Sequence, residues 1–138
     1  MPVITRRWND PPGHPPGAGE GSGLRVLVTR YRPRGVARSA ETWDEWWPDL
    51  GPSRALHAAF WGKSGPPISF EQYRPRYLEE MQRQVFRIRA LGDRVAAGET
   101  VVLLCSSACT DAARCHRTLL AALVEAAGSV GPRRTTLR

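Results

Sequence analysis

Thr100-Val-Val-Leu-Leu-Cys105 is the stretch on which the fold turns. It is uncharged, continuously apolar and too short for a typical helix. It lacks the polar–apolar alternation of a strand with one wet face, so it reads as a strand covered on both faces, as in a parallel sheet. Downstream, residues 106–111 form a loop. Thr110 or Asp111 is placed to cap a last helix over 112–127, with Gly128 as its C-cap. Upstream, Ser69 and Gln72 open a long helix reaching about residue 97. It carries Tyr73, Tyr77, Met81, Val85, Ile88, Leu91 and Val95 as an apolar stripe at steps of three or four. Pro75 is expected to kink that helix or delay its start.

Further upstream, residues 24–30 (LRVLVTR) alternate as a strand does, and Pro33 and Gly35 end it. Thr42 and Glu45 match a capping box for a short helix that Pro48 closes. Ser53 caps a second short helix to about residue 61. Residues 2–8 alternate weakly as one more strand. Strand, helices, strand, helix is a parallel βαβ pattern with a right-handed crossover. The expectation is a single three-layer α/β domain over residues 1–128, with a short, mostly parallel sheet flanked by helices. Residues 9–23, rich in Pro and Gly and carrying His14, read as a mobile loop. Residues 129–138 read as a basic tail.

The chain has 138 residues, within the size of one domain and enough for a core without staples. Its 41% hydrophobic and 24% charged residues exclude wholesale disorder. No apolar run is long enough to span a membrane and no signal peptide is seen, so a cytoplasmic protein with no membrane partner is expected. Three clustered cysteines, Cys105, Cys109 and Cys115, argue against a disulfide framework in that setting.

The net charge of +7 suits a polyanion partner. Only Lys63 among the 20 basic residues is a lysine, which equally reflects the Arg-, Ala-, Gly- and Pro-rich usage of GC-rich genomes. Charge is uneven, since residues 1–40 are arginine-rich and residues 41–60 are acidic. The acidic part holds Trp43, Trp46 and Trp47, which read as core, with a partner interface as the alternative.

The chemistry concentrates in CSSACTDAARCHR, residues 105–117, joining the end of the buried strand to the start of a helix. Ligands of open α/β sheets bind beyond the carboxyl ends of strands. A helix N-terminus favours anions and thiolates, and Arg114, His116 and Arg117 push the same way. The neighbouring strand end brings Arg30, Arg32 and Arg34 toward the same edge. The alternative for Cys115 is a small core residue heading the stripe Cys115, Leu119 and Leu123. The spacings C-x3-C and C-x5-C-H do not match common zinc patterns, so no metal ligand is expected. The cysteine–five residues–arginine loop of phosphatases is absent. So are a Gly-rich phosphate loop, G-x-S-x-G and H-E-x-x-H, and no cofactor is expected.

Several segments in order resemble the bacterial proteins grouped as domain of unknown function 488. Residues 4–12 (ITRRWNDPP) resemble the opening strand and turn of the family's shorter branch, and residues 24–35 (LRVLVTRYRPRG) its second strand and R-x-x-P-R-G turn. Asp44-Glu45-Trp46 and Leu50-Gly-Pro-Ser-Arg-Ala-Leu56 resemble its W…L-x-P-S-x-x-L segment. Residues 70–81, with Tyr77-Leu-Glu-Glu-Met81, resemble its long helix, and residues 105–117 the C…C-H-R ending of its longer branch. The resemblance implies a small α/β protein whose candidate active site maps to Arg30, Arg34, Cys105, Cys115, His116 and Arg117. The chain departs from the pattern at Thr29 and Ser107, where acidic residues are usual, and Cys109 is extra. Losing those carboxylates argues against a mechanism that uses one as base or metal ligand.

The functional expectation is an anion-binding Cys/His/Arg site, with a thiol-dependent enzyme acting on a phosphorylated or carboxylated small molecule as its sharper form. Cys105 or Cys115 would be the nucleophile or redox thiol, and His116 the acid/base or the group orienting the thiol. Arg30, Arg34 and Arg117 would bind the anion. The rival is a non-enzymatic nucleic-acid-binding module using Arg30, Arg32, Arg34, Arg38, the helix arginines and Arg133 and Arg134. A homo-oligomer built through the Trp-rich segment is a third reading. The sequence fixes no reaction.

Overall fold

The computed structural model describes residues 3–10 and 23–130. The expected loop (11–22 of it, with His14) and tail (131–138) lie outside the described residues. Strands β1 (Val3–Arg7), β2 (Leu24–Leu27), β3 (Glu45–Trp46) and β4 (Val101–Cys105) form one sheet in the order β1-β4-β2-β3. Every pairing is parallel. The α/β class read from residues 100–105 is therefore the observed one, and β4 sits between two neighbours with all five residues buried.

Side chains of β2 and β4 alternate between two cores, as the period of two requires. Val26, Val28, Val101 and Leu103 face the helices α1 (Arg54–Phe60), α2 (Phe70–Met81), α3 (Val85–Ala96) and α4 (His116–Val130). Leu27, Val102 and Leu104 face the other way, against Trp43, with Ile4, Trp8 and Val36 packed on them. Among the described residues that second face is covered by the β2–β3 connection rather than by a long helix. The helices, the sheet and this irregular segment make three layers.

Four local expectations change. The Thr42–Glu45 capping box does not start a helix, because Glu45 pairs with Val26 as the edge strand β3. Thr42 Oγ1 instead donates to the Trp8 carbonyl (2.6 Å). The open edge of β2 outcompetes a marginal helix. The long helix is two, α2 and α3, separated by a 3-10 turn over Gln82–Gln84. That turn moves Val85 out of the stripe, leaving it 46% exposed beside Phe86 at 79%. Pro75 lies inside α2, whose Ser69–Gln72 capping box is formed as expected. Finally, Asp111 caps only a 3-10 turn over Ala112–Arg114, and α4 starts at His116 after an extended Cys115. Helix α4 then runs past Gly128, which packs on α3 instead of ending the helix.

Of the three tryptophans, Trp43 is core and meets Trp8 edge-on. Trp47 packs partly on the helical core. Trp46 is exposed, with its Nε1 donating to the Thr29 carbonyl (2.8 Å). Among the described residues no helix is long and apolar enough to cross a membrane.

Candidate functional site

Parallel register aligns the carboxyl ends of three strands. Arg7 of β1 sits opposite Cys105 of β4, and Leu27 of β2 opposite Leu104. Beyond β2, Val28, Thr29 and Arg30 continue along the same edge. The segment Leu50-Gly51-Pro52 lies directly on them, since a Cβ on Gly51 would meet Arg30 N at 2.6 Å. Arg30 Nε donates to the Pro52 carbonyl (2.8 Å), which fixes its guanidinium at the strand end.

The three cysteines converge there from different elements. Cys105 ends β4, Cys109 lies in the following loop, and Cys115 immediately precedes α4. Cys105 Sγ lies 3.1 Å from Cys109 Sγ and 3.3 Å from Cys115 Sγ. All three thiols are free. Cys105 and Cys115 are buried, and Cys109 is partly exposed. Hydrogen bonds run in one direction: Cys115 donates to Cys105, Cys105 to Cys109, and the Ser106 hydroxyl also to Cys109 (3.8 Å). The chain of donors ends on Cys109, so negative charge is best held there. The hydrogen bond from Cys105, with Cys115 close behind it, holds the Cys109 thiol well below the ordinary thiol range. The Cys105 thiol, as donor to Cys109 and buried, is pushed well above it. At Cys115 the bond to Cys105 acts downward, but Cys109 and burial outweigh it, and the net shift is upward.

His116 opens α4 beneath this cluster. Its Nε2 lies 2.7 Å from the Val28 carbonyl, which assigns the proton to Nε2 and leaves Nδ1 as an acceptor 3.9 Å from Cys105 Sγ. Burial lowers its pKa, so the ring is neutral near pH 7. Tyr77 packs against the ring (5.3 Å between centroids) and donates to the Leu50 carbonyl (2.7 Å), tying α2 to the site.

The thiols form the floor of a cleft of about 100 Å³. Tyr31, Phe60, Trp61 and Tyr73 wall it, and Arg30, Arg114 and His57 supply its basic groups. Among the described residues no carboxylate lines it. His57 has its pKa lowered by desolvation, which keeps it neutral near pH 7, so the positive charge of the lining is that of the two arginines, each at the edge of ion-pair range of an acid outside it: Arg30 with Asp49 (3.7 Å) and Arg114 with Asp111 (3.9 Å). A second, wider cavity of about 350 Å³ shares Phe60, Trp61, Cys109 and Arg114 with the first. Cys109 and Arg114 thus stand on the ridge between them.

Sequence reasoning placed Cys105, Cys115, His116 and Arg30 together, and the structure does too. Arg34 does not join them: it is exposed in the turn it shares with Gly35 (φ 72°) and absent from both cavity linings. Arg117 does not line them either. It is 5% exposed, with Nε and Nη1 lacking a hydrogen-bond partner among the described residues, and it acts electrostatically on Asp10 beyond β1. Motif reasoning gave Cys109 no role and credited Arg114 only with favouring a thiolate, yet both line the cleft. Their signal was proximity in sequence to the strand end. The aromatic wall from α1 and α2 left no motif.

The family model for DUF488-N3a, described as "Active DUF488-N3 subclade", matches residues 14–128. The chain belongs to the DUF488 family. A relative, "Uncharacterized protein YeaO" of Escherichia coli (strain K12), is 31% identical over 107 residues, covering 78% of this chain and 84% of its own. No solved structure matches the chain significantly. In this DUF488 protein the matched span contains β2 to β4 and every residue lining the cleft.

Proposed function

We propose that this protein is a thiol-dependent enzyme acting on a small phosphorylated or carboxylated molecule, with Cys109 as its nucleophile. One observation carries the reading. The three sulfurs meet at the floor of a cleft whose charged lining is two arginines and no carboxylate. Cys109 is the only one of the three that is not buried, and Arg114 and Arg30 line the same cleft. Guanidinium groups there would hold an anionic substituent, because a charge-assisted bond in a partly dry cleft is roughly twice as strong as a neutral one. Cys109 Sγ would form the new bond to an electrophilic atom beside that anion. The leaving group would depart with its bonding pair and take a proton from solvent at the mouth. Cys105 and Cys115 act as positioning residues: Cys105 donates to the attacking sulfur, and Cys115 donates to Cys105. The description of the matching subclade as active agrees with this reading.

The test compares an anionic with a neutral alkylating agent on reduced, metal-free protein. Iodoacetate should react with Cys109 faster, relative to iodoacetamide, than it does with free cysteine. Inorganic phosphate should slow it. Arg114→Met should erase both effects. A free-cysteine ratio with no protection by phosphate would sink the proposal.

A further inference from the structure

One nucleophile needs one sulfur, yet three are gathered with all their Sγ atoms within 4.8 Å of one another. We infer that Cys105, Cys109 and Cys115 form a three-thiolate site for a single thiophilic cation of the Zn²⁺ class, with its fourth position open to the cleft.

The separations fit a cation better than the alternatives. A disulfide needs sulfurs about 2.05 Å apart, and joining any two would strand the third. Zinc–sulfur bonds of about 2.3 Å in a tetrahedral site set sulfurs roughly 3.8 Å apart. From 3.1 and 3.3 Å the sulfurs need to spread by only about half an ångström. Two of the three are anchored, Cys105 by the β4 ladder and Cys115 at the start of α4. Cys109 stands on the loop between them, outside any regular element, and supplies the adjustment. The cleft gives an entry path, and all three cysteines line it.

The surroundings suit the charge balance. Three thiolates and a divalent cation leave one net negative charge, and Arg30 and Arg114 line the same cleft. Beneath the cluster, His116 turns its Nε2 to the Val28 carbonyl (2.7 Å). Three protein ligands with an open fourth position is the arrangement of zinc sites that retain an exchangeable ligand. The spacing C-x3-C-x5-C hides the site from motif reading. It does not follow the short knuckle pattern, since the ligands come from a strand end, a loop and a helix start.

This inference stands beyond the enzyme reading, because capture of a cation by three thiolates needs no substrate. A loaded site would tie up Cys109, so the two ligands exclude each other. The experiment titrates the reduced, chelator-stripped full chain with Co²⁺ and follows thiolate-to-cobalt charge-transfer absorption. Saturation at one equivalent is expected, with reversal by Zn²⁺ and protection of Cys109 from iodoacetamide. Cys109→Ser lies at a partly exposed loop position and tests the site without threatening the fold. It should weaken binding at least about tenfold. Cys105→Ser and Cys115→Ser should do the same wherever circular dichroism shows them folded. His116→Ala should keep the charge-transfer band, since histidine is not among the ligands. Absence of the band, or its survival undiminished in Cys109→Ser, would overturn the inference. Phosphate protection is read on metal-free protein, so it can fail while cobalt binds, or hold while cobalt does not.

Discussion

Cys109 differs from its two neighbours in exposure and in hydrogen-bond direction, and both differences should be visible in its reactivity. Cys105 and Cys115 are 1% and 2% exposed, so alkylation of the folded protein should stop at Cys109. Because donors hold its thiolate, Cys109 should react well below pH 8.5, where a free thiol is half ionised. The sign for Cys105→Ala follows: the donor to Cys109 is removed, the Cys109 thiolate loses support, and the onset of alkylation moves to higher pH. Peptide mass spectrometry across a pH series reads both. Labelling of all three cysteines at equal rates would contradict the structure. At this scale the sequence was legible where chemistry sits on a strand end or at the first position of a helix, as for Cys105 and His116. It was misleading for Arg117, although that residue adjoins His116. Successive helix positions point about 100° apart, so neighbours in a C-H-R motif face different surroundings. It was silent on Cys109, whose role depends on where a loop folds back.

Among the elements, the crossing of α3 and α4 is the closest packing that two glycines permit. A Cβ on Gly92 would meet the Ala127 Cβ and Gly128 N, both at 2.8 Å, and one on Gly128 would lie 3.0 Å from the Gly92 carbonyl oxygen. Gly92→Ala gains helix propensity of just under about 1 kcal/mol but must push the helices apart. The expected outcome is net destabilisation of about 1–3 kcal/mol, read as a lower urea midpoint at unchanged slope. A stabilised variant would show that the crossing is looser than drawn. The pair also explains why Gly128 misleads as a helix stop: a glycine after an apolar stripe has the same sequence signal whether it ends a helix or admits a partner. The α2–α3 break is illegible for a different reason. Met81-Gln-Arg-Gln-Val85 contains neither Gly nor Pro, and the two halves part where α3 takes up the main packing on α4 while α2 touches both α1 and α4. By contrast, the Ser69–Gln72 box and the β4 run were read correctly because each depends on contacts within a few residues or on burial alone.

Over the whole molecule, positive charge is spread while the cleft is local, and this separates the enzyme reading from nucleic-acid binding. Arg74, Arg76, Arg83, Arg87, Arg89 and Arg94 are exposed along α2, the turn and α3, and none lines either cavity. Two of them are engaged with acids, Arg87 with Asp49 and Arg94 with Glu99. At physiological salt the Debye length is about 8 Å, so surface arginines that do not reach the cleft are largely screened from an anion bound in it. Replacing Arg74, Arg83 and Arg89 together by Gln should therefore leave phosphate protection of Cys109 within about twofold, whereas Arg114→Met removes it. The same triple variant is the sensitive one for the rival. If these arginines contact a nucleic-acid backbone, each lost contact flattens the dependence of log K on log salt by about 0.9. Fluorescence anisotropy with an unrelated duplex across a salt series reads that slope. An unchanged, shallow slope with cleft protection intact is the expected result. Protection lost in the triple variant, with a slope flattened by two or three units, would move the working surface from the strand ends to the helices.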